Sequence, residues 1–242
     1  MNRLLASFGW ILLLLPFISV AGTKTLVNNI SNSISTEKRH VSNFNGISSS
    51  GSYDVYIKMG AVESLEIEGD SDLIKNIETK VEGGILKIQN SKTSSGWGWN
   101  NPRTKIYITA KSLNHLTLSG SGKMVVSNAI KSDKLNTSVS GSGSIRLELA
   151  TKIYNASVSG SGQINASGFT QNANISVSGS GGFDGESLKT NTSAISVSGS
   201  GNAYICAEDR LNAHLSGSGN ITYSGNAQVS QVKSGSGKIT KD

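Results

Sequence analysis

Ser138-Val139-Ser140-Gly141-Ser142-Gly143-Ser144-Ile145-Arg146-Leu147 decides the fold. Alone it is two short runs of alternating polar and apolar residues joined by a glycine turn. Ser157-Val158-Ser159-Gly160-Ser161-Gly162-Gln163-Ile164-Asn165-Ala166, 19 residues further on, repeats it, and the pair belongs to a longer ladder. Ser-Gly-Ser-Gly begins at Ser119, Ser140, Ser159, Ser178, Ser198, Ser216 and Ser234, with steps of 18 to 21 residues. A degenerate copy stands earlier, at Ser50-Gly51-Ser52-Tyr53. Aligned on the first Ser, the preceding residue is Leu118, Val139, Val158, Val177, Val197 or Leu215, with Lys233 in the last copy. Two residues after the final Gly come Met124, Ile145, Ile164, Phe183, Ala203, Ile221 and Ile239. Polar residues lie between the apolar columns, so both arms of each turn carry the period-2 signature of half-buried strands.

A unit of this size cannot bury its apolar face by itself, whereas stacked copies can. The expected fold is therefore all-β: a right-handed parallel β-helix, or solenoid, with about 18–21 residues per rung. Each rung reads as strand, glycine bend, strand and connector. A sandwich with glycine hairpins would explain the alternation but not one tetrapeptide recurring at one period. The division expected along the chain is residues 1–21 signal peptide, 22–43 loose leader, 44–118 less regular rungs capping one end, and 119–242 the repeat rungs. Within the capping part, Leu73, Ile74 and Ile77 follow a capping residue at Asp70 or Ser71, which predicts a short helix over Asp70–Ile77. Val81-Glu82-Gly83-Gly84-Ile85 reads as a hairpin turn.

The leader places Arg3 before an apolar run from Leu4 to Val20 and offers small residues at Ser19 and Ala21, so cleavage before Gly22 and export are expected. No Cys follows the cleavage site, so a lipoprotein anchor is not expected, and either periplasm or cell surface fits. The formal net charge of +6 becomes +5 when Arg3 leaves, and no Lys/Arg run is dense enough for nucleic acid. With Cys206 the only cysteine, an internal disulfide is excluded. Register places Cys206 outward, in the column of Glu148, Ser167, Glu186 and Ser224, where it can link two molecules into a homodimer.

Phe44-Asn45-Gly46-Ile47, Gly51-Ser52-Tyr53-Asp54-Val55-Tyr56-Ile57 and Leu65-Glu66-Ile67-Glu68-Gly69-Asp70, followed by the Ser-Gly-Ser-Gly ladder, together resemble the bacterial head GIN domain family over about Asn43–Gly237. The resemblance implies an exported β-helical envelope protein with an adhesin label, and it carries no catalytic residues to this chain. The sequence as it stands has no translocator barrel, so self-secretion is not expected.

Candidate sites are few. Asp184 and Glu186 stand two apart on one outward face, a spacing compatible with a pair of glycosidase carboxylates, but no His or Arg gathers with them, and they read as solvated acids. His115 and His214 lie rungs apart, and no Asp follows any turn, so neither a metal nor another cofactor is expected. Trp97 and Trp99, among glycines in Ser94–Asn100, are candidate ligand-binding residues, either as sugar platforms or as a cover over the open end of the stack. An outward polar face carries Ser138, Ser157 and Ser176 in one column and Asn136, Asn155 and Asn174 in another; it reads as a glycan- or ice-binding ladder or as an ordinary solvated sheet. The function expected is a non-enzymatic envelope adhesin or binding module with a surface glycan or envelope protein as partner. The alternatives are a purely structural scaffold and, further off, a polysaccharide-processing enzyme.

Overall fold

The computed structural model describes residues 34–91 and 104–242, all of which lie in the compact unit Asn32–Asp242. Stacking begins out of chain order. Strands β1 (Ile34–Arg39), β2 (Gly46–Ser50), β3 (Asp54–Met59) and β4 (Ser64–Asp70) lead into helix α1 (Ser71–Lys75). Then come β5 (Ile77–Glu82), β6 (Ile85–Asn90), β7 (Lys105–Ala110), β8 (His115–Gly120) and β9 (Lys123–Val126). The rung formed by β2 and β3 is sandwiched. It pairs in parallel with β6 and β7 on one side and with β8 and β9 on the other. Ser50 is thereby placed opposite Ser119, so the degenerate Ser-Gly-Ser motif sits in register beneath the regular ladder.

The outer end is closed by antiparallel pairing. β4 pairs with both β1 and β7, and β5 with β6 form the hairpin expected at Gly83-Gly84, whose two glycines have φ of +57° and +77°. This corrects the reading of residues 22–43 as loose throughout, since Ile34–Arg39 is an edge strand whose Arg39 Nη2 donates to the Ile74 carbonyl at 2.9 Å. The helix is shorter than the expected Asp70–Ile77. Asp70 is its N-cap, accepting from the Asp72 amide, and Ile77 already belongs to β5.

From Ile130 the coil is regular. β10 (Ile130–Gly141), β11 (Ser144–Gly160), β12 (Gln163–Gly179), β13 (Gly182–Gly199) and β14 (Asn202–Gly217) pair in parallel, followed by β15 (Asn220–Ser224), β16 (Gln228–Ser234) and β17 (Lys238–Lys241). The result is an all-β solenoid of about seven turns. Gly120, Gly141, Gly160, Gly179, Gly199 and Gly217 are register partners in succession. They hold φ of +100° to +117°, a region a side chain rarely occupies. The amides that follow reach down one rung, as where Ser161 N donates to the Gly141 carbonyl at 2.9 Å.

The separate connector expected in each rung is absent from β11 to β14. Each is one continuous strand of 16 to 18 residues that turns its second corner without breaking. That corner is held by a buried hydroxyl column that the sequence reading passed over. Thr151 Oγ1 donates to Thr170 Oγ1 at 2.9 Å, and Thr190 Oγ1 donates to the Cys206 carbonyl at 2.9 Å, which satisfies polar groups that would otherwise be costly to bury. The predicted inward columns are the core: Met124, Ile145, Ile164, Phe183, Ala203 and Ile221 are all fully buried. Tyr154 is buried among them and shares a 2.9 Å hydrogen bond with Thr137 Oγ1. Polar residues enter the core columns in β16, with Gln231 opposite Ala213 and Lys233 opposite Leu215. Lys233 Nζ donates to the Gly237 carbonyl at 3.1 Å, which gives the ammonium a partner at the edge of the core.

Candidate functional site

One outward face of the regular rungs is concave. Because Cβ atoms alternate across a strand, residues two apart form parallel walls with the backbone of the intervening residue as floor. One wall runs His115, Asn136, Asn155, Asn174, Ala194, Asn212, Ser230. The other runs Thr117, Ser138, Ser157, Ser176, Ser196, His214, Val232. Between them lies a groove of about 750 Å³.

The first wall is internally bonded in one direction. Asn174 Nδ2 donates to Asn155 Oδ1 at 2.9 Å, Asn155 Nδ2 donates to Asn136 Oδ1 at 2.8 Å, and Asn136 Nδ2 donates to His115 Nε2 at 3.2 Å. His115 Nδ1 lies 3.1 Å from Asn114 Oδ1, which carries the chain of contacts on to the next side chain. Each amide is thus oriented before any ligand arrives. On the second wall, the hydroxyls of Ser138, Ser157, Ser176 and Ser196 make no hydrogen bond to the described residues and face the groove. The Asn and Ser columns were legible in the alternation. So was the continuation of the Ser column through Thr117, Ser196 and His214 to Val232; the concavity of the face and the place of His115 in the Asn wall were not.

The remaining candidates separate. Asp184 and Glu186 are brought together, but as a turn: Glu186 N donates to Asp184 Oδ1 at 3.3 Å where β13 carries an extra residue against β12. That insertion corrects the columns drawn through this point. Asn165 pairs with Asp184 but Gly168 with Leu188, so Glu148 and Glu186 do not share an unbroken column. A second shift sets Cys206 opposite Lys189 rather than Glu186, with Ser224 on its other side. Cys206 lies on the outward phase between buried Ile205 and Ala207, but it is half-buried rather than open. Trp97 and Trp99 lie outside the described residues, as do residues 1–33, where a signal peptide was expected. No group of three metal-ligating side chains occurs among the described residues.

A surface cluster not anticipated from sequence stands on the early rungs. The Tyr56 and Tyr107 rings stack with centroids 5.4 Å apart, and Lys123 Nζ sits 5.3 Å from the Tyr56 centroid. Lys105 Nζ donates to Glu68 Oε1 at 2.9 Å, and this bond holds the Glu68 carboxyl below its usual range. The rings occupy each other's faces, and every charge has a partner, so the cluster reads as a latch between rungs.

Fold and face define an all-β solenoid that presents an uncharged groove walled by columns of Asn and Ser. The chain belongs to the family described as "Putative auto-transporter adhesin, head GIN domain", whose model matches residues 43–227. Among solved structures it is similar to a "putative adhesin" of Bacteroides fragilis NCTC 9343, at 25% identity and a TM-score of 0.81, over 88% of this chain and 98% of that one. It is also similar to a "Putative lipid binding protein" of Parabacteroides distasonis ATCC 8503, at 25% identity and 0.72, over 88% and 98%. A "putative adhesin" of Parabacteroides merdae ATCC 43184 shares the fold at 22% identity and 0.67, over 88% and 97%. No curated protein matches the chain.

Proposed function

We propose that this protein is an exported cell-envelope adhesion module that binds a surface glycan or envelope protein in the groove and performs no catalysis on it. The observation that carries this reading is the groove itself, long, concave and lined on both walls by oriented amides and free hydroxyls. The family description points the same way, and the apolar run Leu4–Val20 with its small-residue exit supports export. A lipid ligand, as named for the Parabacteroides distasonis relative, is the second reading, because most of the exposed surface inside the groove is carbon; retention on lipid vesicles with none on envelope glycan or protein would favour it. The acid pair supports no hydrolase reading, since Asp184 uses a carboxylate oxygen to hold a turn. Purified protein should be retained on envelope material, and Ser157→Arg should abolish the retention. Protein isolated from the producing cell should begin at Gly22. Failure to bind any envelope fraction, or hydrolysis of a polysaccharide lost in Asp184→Asn/Glu186→Gln, would overturn the proposal.

A further inference from the structure

We infer that the groove takes an uncharged glycan chain lying along the solenoid axis. This rests on the adhesion reading and narrows it to one ligand chemistry and one direction. The first ground is charge. The chain carries 22 basic and 16 acidic residues, yet no Asp, Glu, Lys or Arg lines the groove. An acidic polysaccharide, a phosphate headgroup or a nucleic acid would find no fixed counter-charge there, and its desolvation would go uncompensated.

The second ground is hydrogen-bond capacity. An Asn side chain has two N–H donors and an oxygen with two lone pairs. The ladder uses one N–H each of Asn155 and Asn174, which leaves each of these amides a donor and an acceptor for a ligand, whereas Asn136 spends its Nδ2 on the Asn114 carbonyl and His115 Nε2 and keeps one acceptor. The opposite wall adds hydroxyls that both donate and accept. Sugar hydroxyls do the same, so neither wall forces an unpaired group on such a ligand.

The third ground is repetition. Three successive rungs present the same pair, Asn136 with Ser138, Asn155 with Ser157 and Asn174 with Ser176, about every 4.8 Å, and the uncharged walls continue for six such steps in all, roughly 29 Å. The floor is the backbone of residues such as Thr137, Ala156, Ile175 and Ile195, so the groove has no distinct pockets for the varied side chains of a peptide. A polymer of like units can instead engage several rungs at once, and weak contacts then sum through high effective concentration. The relay from Asn174 to His115 runs one way, so the two ends of such a polymer are not equivalent to it.

The test uses the full protein with dextran, mannan, xylan and galactan as neutral chains and alginate and hyaluronan as acidic ones, each followed by titration calorimetry. At least one neutral chain should bind, with an affinity insensitive to salt. Ser157→Arg and Ser176→Arg, both at exposed wall positions, should each weaken it about tenfold or more while leaving the melting temperature in place. Ser159→Arg and Ser178→Arg, on the exposed turn outside the groove, should leave it unchanged. Asn174→Ala, which adds no bulk, should weaken it as well. Salt-sensitive binding of only the acidic chains, or neutral binding indifferent to the wall substitutions, overturns the inference. Retention on envelope material that Ser157→Arg abolishes, with no neutral chain bound, also overturns it but leaves the adhesion reading standing. Protein that binds no envelope material defeats both.

Discussion

Gly160→Ala tests whether the glycine turns hold the rungs at contact distance. Gly160 has φ of +100°, and a Cβ added there would stand 2.8 Å from the Gly141 carbonyl oxygen. That oxygen cannot retreat cheaply, because it accepts from Ser161 N at 2.9 Å. The backbone region alone costs an L-residue about 1–3 kcal/mol. Forcing two strand rungs apart adds about 1–3 kcal/mol, as in an overpacked core. The sum is roughly 4 kcal/mol, which for a chain of this size lowers the melting temperature by about 8–16 °C. Gly83→Ala is the control. Gly83 also has a positive φ, +57°, but its Cβ would meet nothing within 4 Å. It should lose only the conformational part, about 1–2 kcal/mol, or about 2–8 °C. Scanning calorimetry of both variants reads the difference directly. Equal shifts would refute the reasoning, since the penalty at Gly160 would then be local strain with no contribution from the rung beneath.

Ile164→Asp places a charge between Ile145 and Phe183 and should cost about 3 kcal/mol or more, whereas Asn165→Asp on the outward phase should be nearly neutral; paired denaturant melts decide it. Burial raises the Tyr53 hydroxyl to about 12 and pushes Tyr154 up further against its bond to Thr137. The unfolded chain therefore releases these protons from about pH 10 while the folded chain holds them, so stability is intact below that pH and falls as pH rises above it. In alkaline melts Tyr154→Phe should flatten that slope, and a slope equal to wild type would show that the ring is not the proton holder. Cys206, half-buried between Lys189 and Ser224, should react with a maleimide in the native state more slowly than a free thiol, and reaction only after denaturation would contradict its outward phase.

The period and the alternation of Val139, Ile145, Val158 and Ile164 made the solenoid legible before any coordinates, because a repeat too small to bury its own face has to stack. The same alternation identified the Asn and Ser columns, since side-chain phase in a strand depends only on parity. Parity fails where residues are inserted, and this is why Glu186 does not stand in the column of Glu148 or beside Cys206, although Cys206 does pair with Ser224 as its register implied. The bulge after Gly185, where β13 is longer than either neighbouring strand, leaves no mark in the composition; it exists only as a mismatch between paired strands. The Thr151, Thr170 and Thr190 column was overlooked for a related reason: a buried hydroxyl looks like a surface one until the carbonyl it satisfies is in place.

Residue order alone thus determined the all-β stack, the glycine corners and which side chains face in or out, all of them consequences of local geometry repeated at one period. Three features depended on contacts between segments far apart in the chain. The rung of β2 and β3 slipped between later ones because Gly51 can lie under Gly120. Residues 34–39 became an edge strand because β4 offered an open side. The polar face became a groove only where the stacked rungs set two side-chain columns side by side over a shared backbone floor, which no single rung can encode.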